Sequence, residues 1–388
     1  MLRNRHLLKI LSAGVLLSAC ASAGGPEEPA IGVDPIAARQ APLRALPESA
    51  DDFLEEARGI YVVVDLDTNR LRLMDGRRKL WEAPVGTGTG LRLKGDDGEW
   101  HFTTPEGVFQ IQYKEEVPIW YLPDWYFIEK GLPVPADDAP ERKVSGQLGI
   151  AAVYIGREIA IHGTNHPELL GQRVSHGCIR LHNDFALRLF HNVQVGTPVV
   201  VVGGEDLEEI DPDDVPTPSQ TRKQPEPDPF GGVSTEVLLT RLDRELAKAD
   251  TTNLWVRITS RLITRGLKDD AMALRGLLAR AGTAGSRDRN REYATFLNDA
   301  FTRGGLRAVV SLARIDEEER KLAAEAIVNS AASLYPGFLH DPVAPWPTRR
   351  VPNLRLGPEG KTGWEALAEA EVALRELAAA DGSPGTSR

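Results

Sequence analysis

Five of the chain's eight histidines fall between positions 162 and 191, beside Cys178, one of only two cysteines. The stretch reads Ile161-His162-Gly163-Thr164-Asn165 and then Val174-Ser175-His176-Gly177-Cys178-Ile179-Arg180-Leu181. A free thiol, with a pKa of ~8.5, is mostly protonated at neutral pH, yet the thiolate is the nucleophile. An adjacent imidazole can take that proton, and the resulting ion pair lowers the thiol's pKa. Glycines beside the reacting groups allow tight turns and let backbone N–H groups approach a developing oxyanion. The chemistry these residue types suit is acyl transfer through a cysteine.

Spacing alone does not choose the base. His176 is two positions from Cys178, which can bring the side chains together or splay them apart, and His162 is the other choice. His162, His166, His176, Cys178 and His182 are also zinc-ligand types. His162 and His166 have i,i+4 spacing, but Gly163 and Pro167 oppose the helix that would align them, and no second cysteine or nearby glutamate fits a familiar closed site. No metal and no cofactor are expected. Gly86-Thr87-Gly88-Thr89-Gly90 lacks the lysine and following helix of a phosphate loop. His166, His182 and His191 read as surface or packing residues.

The two segments resemble the signature of the L,D-transpeptidase (YkuD-type) catalytic domain, an HGT element followed by SHGCIRL. Thr104-Pro105-Glu106-Gly107, Pro118-Ile119-Trp120-Tyr121-Leu122-Pro123 and Gly196-Thr197-Pro198-Val199 match in the family's order, so the resemblance covers about 57–204. It implies that Cys178 is the nucleophile and His162 the proton donor and acceptor, with the Gly163 carbonyl holding the other ring nitrogen. It places His176 at the wall of the site and the amides around Gly177 and Cys178 in the oxyanion hole. Arg180, Ser175 and Trp120 are expected at the substrate. A planar guanidinium suits stem-peptide carboxylates; the competing role for Arg180 is a salt bridge bracing the cysteine loop. Trp120, Tyr121, Trp125 and Tyr126 form either a groove or lid, or core.

The reaction implied is attack of Cys178 on a peptidoglycan tetrapeptide stem, release of D-Ala, and transfer of the thioester-bound acyl group to an amine. The products would be cross-links or an attached protein. Two alternatives stand beside it. One is an L,D-carboxypeptidase or endopeptidase that hydrolyses the same bonds. The other is a non-catalytic wall-binding scaffold lipoprotein.

The elements that must position these residues follow from period and punctuation. Ile60 to Leu66 is β-branched, and after Asn69 the alternation Leu71-Arg72-Leu73-Met74 completes a hairpin. Val108 to Tyr113 alternates, Gly149 to Ile161 holds two strands around Gly156, and Thr197 to Val202 closes the domain. With a helix near Asp184 to His191, residues 57–204 read as a mainly β catalytic domain. The family resemblance makes it a YkuD-like β-sandwich with one or two short helices. Residues 205–232 are acidic and then dense in proline, hence a linker. Beyond them Leu238, Leu242, Leu246 and Ala249 share one helical face, and Trp255, Ile258 and Leu262 another. Asp316 and Glu319 form a capping-box pattern. Residues 233–380 read as a separate α-helical domain of unassigned role, with a loop-rich stretch around Pro342 to Pro358 and an envelope protein as a possible partner.

At the N-terminus Arg3, Arg5 and Lys9 precede the apolar run Ile10 to Ala19, far short of the roughly 20 residues that cross a bilayer. It reads as a signal peptide. Leu17-Ser18-Ala19-Cys20 resembles a bacterial lipobox, which makes residues 1–20 a lipoprotein signal peptide and Cys20 the lipidation site. Ala21, rather than Asp, favours the outer membrane in a Gram-negative cell. Residues 21–56, rich in Ala, Pro and Gly, read as a flexible tether. The expected location is therefore extracytoplasmic, lipid-anchored, on the periplasmic face. Hydrophobic and charged contents of 41% and 26% are those of a globular chain, and a net charge of −10 argues against nucleic acid as a partner.

Overall fold

The unbroken apolar run of β1 (Ile60–Asp65) exists because both faces of the strand are covered. Side chains alternate between faces: Val62 and Val64 enter the main core, while Tyr61 and Val63 pack on the reverse side with Phe53 and Val200. In the computed structural model, which describes residues 46–95, 98–156, 158–204, 207–208, 210–217, 229–248, 253–335 and 357–381, β1 is central in a five-stranded sheet. The order is β3 (Arg78–Pro84), β2 (Arg70–Asp75), β1, β15 (Pro198–Val202) and β7 (Gly107–Gln110). β1 pairs antiparallel with β2, as the hairpin reading expects, and parallel with β15, so the domain's first and last strands lie side by side.

The second sheet runs β14 (Ile179–Leu181), β12 (Ile159–Gly163), β11 (Ala151–Gly156) and β8 (Tyr113–Glu116). Three two-stranded ribbons complete the β region: β4 (Thr87–Gly88) with β13 (Arg173–Ser175), β5 (Arg92–Gly95) with β6 (Gly98–His101), and β9 (Ile119–Tyr121) with β10 (Lys143–Ser145). Apolar faces of both sheets share one buried cluster that includes Val62, Leu73, Val153, Ile161 and Ile179. The short α2 (Asp124–Glu129) lies between β9 and β10, and α3 (Asn183–Asn192) follows β14 and packs on β11 and β12.

Cys20 and the lipobox, the tether up to residue 45, most of the proline-rich linker and the stretch 336–356 lie outside the described residues. The tether reading needs correction at its C-terminal end. Residues 50–56 form α1 (Ala50–Glu56), capped by the Ser49 side chain accepting from the Asp52 N–H. Phe53 docks edge-on to Tyr61, so the reverse face of β1 is covered by residues expected to be free.

The C-terminal region is helical: α4 (Thr235–Ala247), α5 (Leu254–Leu267), α6 (Ala271–Leu278), α7 (Arg287–Gly304), α8 (Leu306–Ala313), α9 (Glu317–Leu334) and α10 (Pro358–Asp381). Leu238, Leu242 and Leu246 of α4, and Trp255, Ile258 and Leu262 of α5, are buried at their helical spacing. Asp316 is the N-cap of α9, but its side chain makes no cap hydrogen bond. These helices form their own layer without standing apart, because the same buried cluster continues from the sheets through Leu189 and Phe190 of α3 into Trp255, Phe296 and Leu297.

Polar groups of α3 secure the junction. Arg188 pairs with Glu292, Arg257 with Asp184, and the Asn192 side chain links Trp81 Nε1 and Thr295 Oγ1 at 2.8 Å each. His191, read as a packing residue, is fully buried between Asp299 Oδ2 at 2.8 Å and Ser260 Oγ at 2.9 Å. Among the described residues no helix is long and apolar enough to cross a membrane.

Candidate active site

Strands β12 and β14 pair in parallel with Ile161 opposite Ile179, His162 opposite Arg180, and Gly163 opposite Leu181. Alternation sends Ile161, Ile179 and Leu181 into the core, so His162 and Arg180 share the opposite face. Cys178, immediately before β14, lies at the end of β12 where that strand begins: its thiol donates to the Glu158 carbonyl at 3.8 Å and also meets the Ala160 amide. The half-buried Cys178 thus leads into the strand beside the one that carries the buried imidazole, with the thiol's hydrogen bond spent on Glu158.

His162 Nδ1 lies 2.6 Å from the Gly163 carbonyl oxygen. A carbonyl only accepts, so the neutral ring carries its proton on Nδ1 and its lone pair on Nε2. Burial holds the imidazole down to about 4, helped by the Arg180 charge and opposed by the Gly163 and Leu148 carbonyls. Burial pushes the Cys178 thiol up; the Ala160 amide and Arg180 pull the other way, and Glu158 adds to the rise. At neutral pH the resting site holds a protonated thiol and a neutral imidazole, because burial penalises both charged forms.

The loop bearing the sulfur is braced from inside. Ser175 is 1% exposed, and its hydroxyl donates to the Cys178 carbonyl at 2.5 Å while accepting the Gly177 N–H at 3.1 Å. Its side chain therefore holds the loop and is not open to a substrate, which corrects the substrate-contact expectation. The Gly177 amide, expected in the oxyanion hole, is committed to Ser175 at rest. Thr104 Oγ1 donates to the Gly177 carbonyl at 2.8 Å and accepts the Gly88 N–H at 2.9 Å, tying the loop to β4. Gly177 has φ +124°, and a Cβ there would sit 3.1 Å from the Thr103 carbonyl oxygen, so conformation and space both call for glycine.

Arg180 is half-buried beside Cys178 and His162, and among the described residues its guanidinium has no carboxylate partner. The salt bridge weighed for it is thus not formed with any of them. His176 fits into an aromatic box: its ring stacks on Trp125 at 4.1 Å and 14°, meets Phe102 edge-on at 4.4 Å, and Nε2 is 2.9 Å from Glu129 Oε1. Trp120 is one ring further out, against Trp125 and Tyr126. The segment around α2 is held by Arg142, whose side chain donates to the carbonyls of Leu122, Pro135 and Ala136 and to Asp124.

Glu129, Arg142 and Phe102 were not legible as site residues. The only sequence signal was the i,i+4 spacing of Trp125 and Glu129, which puts both on one helix face. His166 pairs with Glu168, and His182 caps α3 by accepting from the Asp184 N–H. Among the described residues no three His, Cys, Asp or Glu side chains converge as metal ligands.

The L,D-transpeptidase catalytic-domain model, YkuD, matches residues 59–201. YqjB of Bacillus subtilis, named as an L,D-transpeptidase, is 35% identical over 142 residues, covering 36% of this chain and 70% of that protein. The chain belongs to the L,D-transpeptidase family. ErfK/SrfK of Salmonella typhimurium, with the same activity in its name, is 35% identical over 141 residues, 35% of this chain and 44% of the relative. The chain thus spans less than half of the Salmonella protein. A solved L,D-transpeptidase from Mycobacterium smegmatis is 26% identical, covering 37% of this chain and 59% of that one, with a TM-score of 0.28. The L,D-transpeptidase match ends before the helical region begins.

Proposed function

We propose that this L,D-transpeptidase-family chain is a cysteine acyltransferase acting on peptidoglycan stem peptides. The observation that carries the reading is the pairing of β12 with β14. It sets His162, with its Nε2 lone pair, on the strand beside Cys178, and Gly163 fixes the tautomer. The thiol turns from the Glu158 carbonyl, a weak sulfur hydrogen bond, toward Nε2. As sulfur attacks the carbonyl carbon of the third stem residue, its proton passes to Nε2. The bond to D-Ala breaks, the imidazolium returns that proton to the departing amine, and a thioester remains. An acceptor amine then gives a proton to His162, attacks the thioester carbonyl and releases the sulfur, which takes that proton back from the imidazolium to restore the thiol. The Cys178 amide is the oxyanion donor this loop offers while Gly177 stays bound to Ser175. Arg180, lacking a carboxylate partner among the described residues, is suited to a stem carboxylate.

Anchoring by lipid at Cys20 and a place on the periplasmic face belong to the same proposal, supported by the basic lead and lipobox. The test is Cys178→Ala. Wild type incubated with a tetrapeptide stem should show an acyl adduct on Cys178 by intact mass and, with an acceptor stem, 3→3 cross-linked product. A purified variant that still makes that product refutes the nucleophile assignment. Product analysis without acceptor amine separates transfer from hydrolysis.

A further inference from the structure

Helix α2 meets the nucleophile loop at His176. Trp125 and Glu129 extend from the same face of α2, and His176 sits between them, its ring on the indole and its Nε2 on the carboxylate. A carboxylate only accepts, so Nε2 carries a proton toward Glu129. Gly177 and Cys178 follow directly in sequence, and Phe102 meets both the imidazole and the indole edge-on, at 4.4 and 5.3 Å. The loop's other braces, Ser175 and Thr104, act on Gly177 and Cys178 from the body of the domain. Glu129 alone among these polar braces belongs to α2. The groups that face His176 are Glu129 at the end of α2, Lys130 just after it and Arg180 from β14; burial lowers the His176 pKa and Glu129 opposes it.

We propose that Glu129 is a positioning residue for acyl transfer: by holding His176 it aligns the loop that presents Cys178, so the nucleophile is in register only while α2 holds that contact. This rests on the reading of Cys178 as nucleophile. The side chains of the pair are 30% and 40% exposed, and ion pairs at such sites contribute little to folding. Loss of the contact should therefore appear in turnover rather than in stability.

The test uses the full chain, a purified tetrapeptide stem, and the variants Glu129→Ala and Glu129→Gln. In the alanine variant kcat for D-Ala release should fall at least tenfold while KM stays within threefold and Tm stays close to wild type. Glutamine, whose amide oxygen still accepts from Nε2–H, should restore kcat to within threefold of wild type. Alkylation of Cys178 by iodoacetamide needs no alignment with a stem and should change less than twofold. An alanine variant with kcat within twofold of wild type overturns the proposal, as does a glutamine variant no better than alanine. A tenfold change in alkylation also overturns it, since Glu129 would then act on the sulfur's ionisation. A wild-type chain that releases no D-Ala removes the nucleophile reading and this one together, whereas active wild type with active Glu129→Ala removes only this one.

Discussion

Replacing Asp299 with Asn tests whether the helical region is part of the catalytic domain's stability. Asp299 is fully buried on α7, with Oδ1 2.8 Å from Lys114 Nζ of β8, and Oδ2 2.8 Å from His191 Nδ1 of α3 and 3.2 Å from Arg303. Asn keeps the shape and removes the charge, leaving Lys114 buried without its counter-ion. Breaking a buried pair from one side costs ~3–5 kcal/mol. Lys114 keeps the Phe190 and Val193 carbonyls at 2.8 Å, and Arg303 keeps Glu116 at 2.7 Å, so the lower end, about 3 kcal/mol, is expected. That is a large part of a total stability of ~5–15 kcal/mol and corresponds to a Tm drop of roughly 6 °C or more.

Urea unfolding followed by tryptophan fluorescence and by far-UV circular dichroism measures it. One coincident transition, shifted by that amount, is expected, because the core is continuous from the sheets into α5 and α7. Burial pushes the Asp299 carboxyl up but is outweighed by Lys114, His191 and Arg303, which hold it far below the usual carboxylate range. The stabilisation is therefore complete above ~3.9 and lost as pH falls toward the folded value; Asp299→Asn should flatten that acid dependence. A loss below ~1 kcal/mol, or helices that melt apart from the sheets, would refute the reasoning.

Iodoacetamide alkylation of Cys178 should rise steadily from pH 6 to 8 and inflect above the ordinary thiol value of ~8.5, because burial raises the thiol. A plateau below pH 7 would mean a resting thiolate–imidazolium pair and sink the neutral-pair assignment. His162, held to about 4, should remain an unprotonated base for stem acylation down to about pH 5, with activity falling below that as the ring takes a proton. An acid limb centred near 6.5 would show an unperturbed histidine instead. Arg180→Met should leave stability within ~1 kcal/mol, since no carboxylate among the described residues loses its partner. It should raise KM for the stem roughly 10- to 100-fold, the worth of a charged hydrogen bond; an unchanged KM removes the carboxylate-binding role.

What could be read from the sequence was what is local in cause. The β-branched run of β1, the hairpin after Asn69 and the helical stripes of α4 and α5 are set by side-chain period, and they form where the period puts them. Cys178, His162 and their glycines were legible because a thiol and an imidazole between glycines are rare in type and close in sequence. The tertiary structure decided the rest, because burial and charge depend on what long-range packing brings near. It laid β15 against β1, recruited α1 to cover Tyr61 and Val63, and turned Ser175 inward as a brace. It made His191, read only as a surface or packing residue, the centre of a buried network with Asp299. It also set how readily the site ionises: the sequence supplies a sulfur and an imidazole, and their withdrawal from water raises the thiol's pKa and lowers the imidazole's.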